Sequence, residues 1–349
     1  MGARVVEPGE FPFAAAFLEH NHIYGQCRGL VEAGAQLKWV YDPDAEKVAA
    51  FLRAFPGARP ARSYGEILED PAIRLVAAAA VPSERCALGI LAMEAGKDYF
   101  TDKAPLTTLA QLKKARSAVR RTGRKYAVYY GERLHSECAV LAGHMVKSGA
   151  IGRVVQVLGL GPHRLGPVSS RPRWFFDREK TGGILTDIGS HQIEQFLFYA
   201  GTEDAAIDMA RTANRFHGDF PGIDDYGDVA LTGANGALGY LRVDWLTPDG
   251  LSSWGDGRLV ILGEKGFIEL RKNLDLATGN GGNQLYIADS LGERHVNATG
   301  MTGYPYFAGL ILDCLNRTEN AMTQSHAFKA AELAVRAQML AEEKKEERK

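Results

Sequence analysis

The chain has 349 residues and a formal net charge of −1; 46% of its residues are hydrophobic and 24% are charged. This composition excludes a disordered protein, which needs low hydrophobicity and high net charge. The balanced charge gives no general attraction to nucleic acid or to an anionic membrane, and no apolar run reaches the roughly 18 residues of a membrane helix. We therefore expect a soluble protein, and the length favours two domains.

The first half of the chain alternates strand-like apolar runs with helical patterns. The predicted strands cover residues 11–18, 37–41, 75–81, 99–101 and 126–130. The predicted helices cover residues 23–32, 45–55, 64–69, 83–95 and 106–122. Such alternation is typical of parallel strand–helix–strand units, so we predict a doubly wound Rossmann domain over residues 1–131.

The second half has a different rhythm. Strand-like runs at residues 154–159, 228–231, 237–245, 259–262 and 267–271 are separated by Gly, Asn and Asp turns. Asn235-Gly236 is a strong hairpin pattern, and residues 263–266 form another. Helices are predicted at 190–200, 304–315 and 325–343. We predict an α+β domain with a large, mainly antiparallel open sheet over residues 132–349, and leave open whether its C-terminal helix packs back on the first domain.

Cysteine and histidine spacing gives no metal site. Cys27, Cys86, Cys138 and Cys314 lie far apart without zinc-type spacing, so we expect free thiols and a cytoplasmic location. The pairs His20-x-His22 and His191-x-x-Glu194 have no third ligand at a sensible spacing. We therefore predict no bound metal.

The turn after the first strand lacks the G-x-G-x-x-G pattern by which a dinucleotide fold approaches pyrophosphate. Phe17, Glu19 and His22 occupy the glycine positions, and Glu19 would repel the phosphates. His22, near the start of the following helix, could instead donate to a phosphate oxygen. The fold pattern and this departure from it leave nucleotide binding open on this motif alone.

Asp42 ends the second predicted strand, about 20 residues beyond the turn. A carboxylate there accepts hydrogen bonds from the adenosine ribose and disfavours a 2′-phosphate, which favours NAD over NADP. Alternatively, Asp42-Pro43-Asp44 caps the next helix, because Asp is a good N-cap residue.

Three further segments contain residues suited to chemistry. Lys103 follows the strand at 99–101, at the sheet edge where ligands bind in open α/β folds, or is an ordinary surface charge. In residues 182–191, Asp187 and His191 lie one helical turn apart and can share a hydroxyl and its proton, or they are a helix cap and a surface histidine. A third group suits a polyhydroxylated substrate or sheet packing: Glu132, His163, Arg164 and Trp174.

Together these segments resemble the Gfo/Idh/MocA family of glucose–fructose oxidoreductase, inositol dehydrogenases and rhizopine-catabolism proteins. The most specific matches are GKDYFTDKAPLTTL at residues 96–109, GAIGRV at 149–154 and GGILTDIGSH at 182–191. Two departures stand out: Ala104 occupies the proline position of the family's E-K-P motif, and Val81-Pro82-Ser83 replaces T-P-N.

The resemblance implies a Rossmann domain followed by an open-sheet domain that often mediates oligomers. It implies a catalytic group formed by Lys103, Asp187 and His191. The residues expected to bind the cofactor are Leu18, His22, Ile23, Asp42, Val81, Pro82, Asp102 and Lys103. The residues expected to bind substrate are Glu132, His163, Arg164, Trp174, Asp187 and His191.

The function expected from this resemblance is hydride transfer between NAD and a secondary alcohol of a sugar, sugar acid or cyclitol in the cleft between the domains; NADP is the less favoured cofactor. Two alternatives stay open: an enzyme that retains NAD and oxidises a sugar transiently to cleave a glycoside, and a binding or regulatory relative without cofactor. We expect a homodimer or homotetramer and no nucleic-acid or membrane partner.

Overall fold

The computed structural model describes residues 4–347; the outermost residues of the two predicted domains, 1–3 and 348–349, lie outside this range. The chain divides into two compact units. Unit 1 comprises the residues up to Tyr129 together with Gly303–Phe328. Unit 2 comprises Tyr130–Thr302 and the chain from Lys329 onward. Residues 303–328, which the sequence division places in the second domain, thus group with the first.

The strands are, in chain order, β1 Pro12–Ala16, β2 Gln36–Tyr41, β3 Arg59–Pro60, β4 Leu75–Ala78, β5 Asp98–Asp102, β6 Tyr126–Tyr129, β7 Val154–Pro162, β8 Ala205–Ala213, β9 Tyr226–Gly233, β10 Leu238–Asp244, β11 Arg258–Gly263, β12 Gly266–Arg271, β13 Leu274–Asp275, β14 Asn280–Gly281, β15 Gln284–Asp289 and β16 Gly292–Asn297.

The helices are α1 His22–Glu32, α2 Ala45–Ala54, α3 Tyr64–Glu69, α4 Pro82–Glu94, α5 Leu109–Thr122, α6 Gly131–Leu134, α7 Glu137–Lys147, α8 Arg178–Thr181, α9 Ile184–Asp187, α10 Gly189–Ala200, α11 Pro305–Asn316 and α12 Gln324–Glu346. Within the described residues, no helix is both long and apolar enough to cross a membrane.

Unit 1 contains a six-stranded parallel sheet in the order β3-β2-β1-β4-β5-β6. All four residues of β4 are buried, as expected for a strand covered on both faces. Thr108 caps α5 by accepting from the Gln111 backbone N–H, and Gly123 ends the helix in the left-handed conformation. The predicted Rossmann domain is confirmed.

Unit 2 contains an eight-stranded sheet in the order β16-β15-β12-β11-β7-β10-β9-β8. Its strand pairs are antiparallel except for β7 and β10. Helix α10 packs on β7 and β10 and covers one face. The predicted hairpins at Asn235-Gly236 and residues 263–266 are present. The predicted mainly antiparallel sheet is therefore confirmed, although β8, β15 and β16 were not anticipated.

Candidate functional site

The backbone N–H groups of the turn after β1 form hydrogen bonds within unit 1. Phe17 adopts a φ of 57°, a conformation that glycine adopts more readily. The backbone N–H groups of Phe17 and His20 donate to the carbonyls of Tyr41 and Ala79. The N–H of Leu18 donates to Asp42 Oδ2 at 2.6 Å. The strand therefore ends at Ala16, earlier than the apolar run suggests.

Asp42 and Asp44 have separate roles at the end of β2. Asp44 is the N-cap of α2, where its carboxylate accepts from the backbone N–H groups of Glu46 and Lys47. Asp42 is 6% exposed and accepts from the N–H groups of Leu18 and Asp44. The predicted capping of this helix by the segment Asp42-Pro43-Asp44 is thus confirmed through Asp44, whereas Asp42 itself bonds to the turn after β1.

The two bulky residues flanking Leu18 have matched neighbours. The Glu19 carboxylate pairs with Lys47 Nζ at 2.5 Å, so its negative charge is compensated within unit 1. The Phe17 ring contacts the rings of Tyr41 and Tyr64 edge-on, with centroids 5.7 and 4.9 Å apart. The repulsion expected between Glu19 and a phosphate is correspondingly reduced.

Several residues around this turn fit a dinucleotide. Helix α1 begins at His22, with no acidic residue in its first turn and no side-chain hydrogen bond from its N-cap, Asn21. The dipole of such a helix favours a phosphate at its N-terminus, while its first N–H groups, those of His22, Ile23 and Tyr24, donate within unit 1. The buried Asp42 carboxylate lies at the end of β2, where a ribose ligand is expected. Leu18 and Ile23 are buried apolar neighbours of the turn.

Asp102 forms several polar contacts at the carboxyl end of β5. It is fully buried at the end of β5. Its Oδ1 lies 2.8 Å from His22 Nδ1 and accepts from the Lys103 backbone N–H, while Oδ2 accepts from Arg85 Nη2 at 3.2 Å. Burial raises the pKa of this carboxyl, but His22 and Arg85 outweigh burial and hold the pKa well below its ordinary value. Asp102 is therefore a carboxylate.

His20 and His22 both lie against this carboxylate. His20 Nδ1 is 3.5 Å from Asp102 Oδ2 and accepts from the His22 backbone N–H at 3.2 Å. Desolvation, followed by the charge of His22, lowers the pKa of His20 well below its ordinary value, so the ring is neutral at pH 7. The Asp102 carboxylate is a third group that can ligate a metal beside these two histidines. Because it lies 80 residues beyond His22, sequence spacing could not reveal it.

Arg85 is a site residue that the sequence analysis missed. It lies on α4, is 1% exposed, and donates to the carbonyls of Ala80, Lys103 and Ala104 besides Asp102. Its position in the first helical turn, directly after Val81-Pro82-Ser83, was the sequence feature that could have indicated this role. Arg85 fixes the backbone of the segment that carries Lys103, a buried residue.

Val81 and Pro82 occupy the start of α4, as N-cap and first helical residue. Proline suits this position because its missing N–H would have no partner within the helix. Both are buried shortly after the end of β4, and their contact with a cofactor stays a prediction.

In unit 2, Asp187 ends α9 and His191 lies in the first turn of α10. His191 is 2% exposed, so an ordinary surface histidine is excluded. Its ring contacts Tyr130 edge-on at a centroid distance of 6.2 Å. Burial lowers the pKa of Arg171 below its ordinary value, and the charge of Asp187 offsets part of this effect.

Glu132 is the centre of a buried polar cluster in unit 2. Its Oε2 accepts from Lys272 Nζ at 2.9 Å and from Gln192 Nε2 at 2.6 Å. Burial raises its pKa, but Lys272, His191 and His163 together hold the pKa far below its ordinary value. Lys272 and Gln192 were not predicted; Gln192 follows His191 directly, whereas Lys272 is 140 residues from Glu132 and left no pattern.

The remaining predicted substrate residues line a region rich in aromatic side chains. The His163 ring lies 4.5 Å from Trp254 and 5.5 Å from Trp245, between ring centroids. Trp174 packs against a buried cluster around Phe175. Arg164 donates from Nη2 to the carbonyls of Pro248, Leu251 and Ser253, so it anchors that loop.

Two family models match successive parts of the chain. Residues 14–130 match an oxidoreductase family model described as an NAD-binding Rossmann fold. Residues 140–269 match the Gfo/Idh/MocA C-terminal domain. The two together account for most of both predicted domains.

Similar proteins agree with these models. The chain is 27% identical over 253 residues to scyllo-inositol 2-dehydrogenase (NAD(+)) of Bacillus subtilis, covering 70% of this chain and 69% of that protein. A protein from Erwinia carotovora atroseptica described as an oxidoreductase is 47% identical, with a TM-score of 0.92 over 95% of this chain and 99% of the other. Levoglucosan dehydrogenase, in complex with NADH and levoglucosan, shares the fold at 18% identity, with a TM-score of 0.77 over 95% of this chain and 98% of the other. The chain therefore belongs to the Gfo/Idh/MocA family of oxidoreductases.

Proposed function

We propose that the protein is an NAD-dependent dehydrogenase that oxidises a secondary alcohol of a sugar, sugar acid or cyclitol. The observation that carries this proposal is the buried cluster around Glu132. Among the described residues, Glu132 Oε1 and Gln192 Oε1 are buried without a hydrogen-bond partner. Buried acceptors are costly unless they are paired. Substrate hydroxyl groups would satisfy both oxygens.

The neighbouring side chains suit the same class of substrate. Lys272 and His163 supply polar groups beside Glu132, and Trp245 and Trp254 flank the His163 ring. Aromatic faces pack against the C–H faces of a sugar ring, whereas hydroxyl groups need hydrogen-bond partners. A small polyhydroxylated molecule meets both requirements.

We assign the roles by the chemistry of each side chain and by the family resemblance. His191, buried on α10, accepts the hydroxyl proton as a general base. Asp187, one helical turn earlier, orients a substrate hydroxyl or the imidazole. Lys103 hydrogen-bonds the substrate oxygen from the segment that Arg85 fixes. Bound NAD supplies the hydride acceptor.

The cofactor preference can be tested by thermal unfolding with NAD⁺, NADH, NADP⁺ and NADPH. A ligand at 100 times its dissociation constant adds about 2.7 kcal/mol of stability. We expect a shift with the NAD forms, because the buried Asp42 carboxylate disfavours a 2′-phosphate. An equal shift with NADP⁺ contradicts this role of Asp42. If no form shifts the transition, the protein is denatured and assayed for released nicotinamide. Release indicates a cofactor that was already bound, and no release indicates a lost site.

Turnover by the His191→Ala variant tests the reaction. Loss of a general base lowers kcat by roughly 10²- to 10⁴-fold. His144→Ala is the matched control, since His144 is exposed on α7 of the same unit. Unchanged turnover in His191→Ala refutes the assignment. Glycoside cleavage without net NADH formation would instead support transient oxidation by a retained cofactor.

Self-association belongs to the same proposal. The face of the unit 2 sheet opposite α10 exposes Leu238, Leu262 and Phe267 (47%, 41% and 39%) in one row across β10, β11 and β12, with Gln156 of the intervening β7 between Leu238 and Leu262. Exposed apolar side chains grouped on one sheet face are typical of an interface between subunits. We expect a homodimer or homotetramer, and a lower mass by light scattering for Leu238→Glu. Leu291→Glu, at an exposed hairpin turn, is the control.

The proposal places the enzyme in the cytoplasm. Its four cysteines are free and buried, as expected for a reducing compartment. Periplasmic or extracellular recovery of the native protein, measured by cell fractionation, would contradict this location.

A further inference from the structure

The polar cluster at the end of β1 and β5 has the composition of a metal site. His20, His22 and Asp102 each offer one donor atom, and the three atoms lie within 4.8 Å of one another. Two imidazoles and a carboxylate are a ligand set for first-row divalent ions such as Zn²⁺, Fe²⁺ and Co²⁺. We propose that unit 1 binds one such ion through His20 Nδ1, His22 Nδ1 and a carboxylate oxygen of Asp102.

The spacing of the donor atoms matches tetrahedral coordination. Bonds of 2.0–2.2 Å to nitrogen and oxygen place neighbouring tetrahedral ligand atoms about 3.3–3.6 Å apart. The distance from His22 Nδ1 to Asp102 Oδ1 is 2.8 Å, and that from His20 Nδ1 to Asp102 Oδ2 is 3.5 Å. The two distances end on different oxygens of Asp102, so the carboxylate turns to bring one oxygen to the ion. The ion takes the place of the His22–Asp102 hydrogen bond and of the bond from the His22 backbone N–H to His20 Nδ1.

The surroundings hold the carboxylate in position and leave the histidines accessible. Arg85 Nη2 and the Lys103 backbone N–H both donate to Asp102, as outer partners of a ligating carboxylate usually do. The His20 and His22 side chains are 32% and 34% exposed, which gives an ion a path from solvent. The charge of Arg85 opposes a cation and weakens binding, so we expect an exchangeable ion.

Three protein ligands leave a coordination position for water or for an oxygen of a bound molecule. The site lies at the N-terminus of α1, so an ion there adds positive charge where the pyrophosphate is expected; this consequence rests on the proposed function. The metal-binding proposal does not rest on the proposed function, because metal binding is measured without nicotinamide. Failure of either proposal therefore leaves the other testable.

Purified protein without a histidine tag tests the site. We expect dialysis against Zn²⁺ to leave one ion per chain, and Co²⁺ to give visible absorption bands typical of nitrogen and oxygen ligands. His20→Ala, His22→Ala and Asp102→Asn should each weaken Co²⁺ binding by more than the 10- to 100-fold that loss of an outer partner costs. His144→Ala should bind as the wild type does.

Two results would overturn the proposal. One is wild-type protein that retains no more Zn²⁺ after dialysis than the His20→Ala/His22→Ala double variant. The other is a Co²⁺ spectrum that persists unchanged in that variant. Circular dichroism checks that each variant is folded. If Asp102→Asn does not fold, the Co²⁺ absorption spectrum of the wild type and that of the double histidine variant decide whether an ion binds.

Discussion

Replacing Lys272 by methionine tests the buried ion pair beneath the proposed substrate site. Lys272 Nζ lies 2.9 Å from Glu132 Oε2, and the two side chains are 3% and 7% exposed. At an effective dielectric constant of about 20, unit charges at that distance attract by about 6 kcal/mol. Desolvation of both charges offsets part of this attraction. We expect Lys272→Met to lose about 3–5 kcal/mol of unfolding free energy, because it leaves a buried charge without its counter-ion.

Two comparisons separate charge from packing. Lys272→Met/Glu132→Gln removes both charges, and we expect it to recover most of the loss, since neutral groups often replace a buried pair at little cost. Lys47→Met breaks a pair with Glu19 whose side chains are 34% and 22% exposed, and should cost about 1 kcal/mol or less.

Urea unfolding followed by tryptophan fluorescence measures these differences. Trp174, Trp245 and Trp254 belong to unit 2 and report on it directly, and Trp39 reports on unit 1. The reasoning is refuted if Lys272→Met costs no more than Lys47→Met. It is also refuted if the double variant is as unstable as the single one.

The same pair predicts a dependence on pH. The folded-state pKa of Glu132 lies below the ordinary value of 4.5, chiefly because Lys272 outweighs the effect of burial. Its stabilising contribution is therefore fully present above about pH 4.5 and is lost as the pH falls through the lowered pKa. In Lys272→Met the pKa of Glu132 rises toward or above its unfolded-state value, so the fall in stability below pH 4.5 should be smaller than in the wild type. Unfolding free energies from pH 3 to 7 check this difference.

Three further substitutions test the packing by the same unfolding assay. Gly161→Ala places a Cβ 2.7 Å from Gln192 Nε2 and should cost about 1–3 kcal/mol, whereas Gly57→Ala meets no atom within 4 Å and should cost less than half as much. Arg85→Lys should cost at least about 1 kcal/mol, because an ammonium cannot replace the guanidinium's several hydrogen bonds; an unchanged stability would contradict its positioning role. Asp44→Ala should cost about 0.5–2 kcal/mol as the N-cap of α2, and a neutral result would exclude that role.

Local patterns predicted most of the fold. In unit 1 most strands are short apolar runs alternating with helical patterns, so elements such as α3 at Tyr64–Glu69 agree with their predicted bounds. The exposed two-residue strand β3 at Arg59–Pro60 was not predicted. Strands with poor alternation were missed. β8 carries Asp208 and Arg211 beside alanines, and β16 is largely exposed, so neither has an apolar face that sequence could reveal.

Spacing alone predicted contacts between site residues only where those residues are close in sequence; the family resemblance supplied the distant ones singly. Asp187 and His191 are one helical turn apart, and their spacing was visible directly. Glu132 and Lys272 are 140 residues apart, and His22 and Asp102 are 80 apart. Such contacts arise because separate strands end at the same sheet edge or face, which no local pattern encodes.

The side chains that replace glycine in the turn after β1 are held by specific contacts. Each residue in a glycine position has a specific partner in unit 1: Phe17 contacts Tyr64, Glu19 pairs with Lys47, and His22 binds Asp102. A relic of a lost site would have no need of such pairing. Restoring the fingerprint as Phe17→Gly/Glu19→Gly/His22→Gly should therefore lower the melting temperature and should not strengthen NADH binding. A variant that keeps its stability and binds NADH ten times more tightly, by fluorescence titration, would show instead that these side chains merely obstruct an older site and would favour the relative without cofactor.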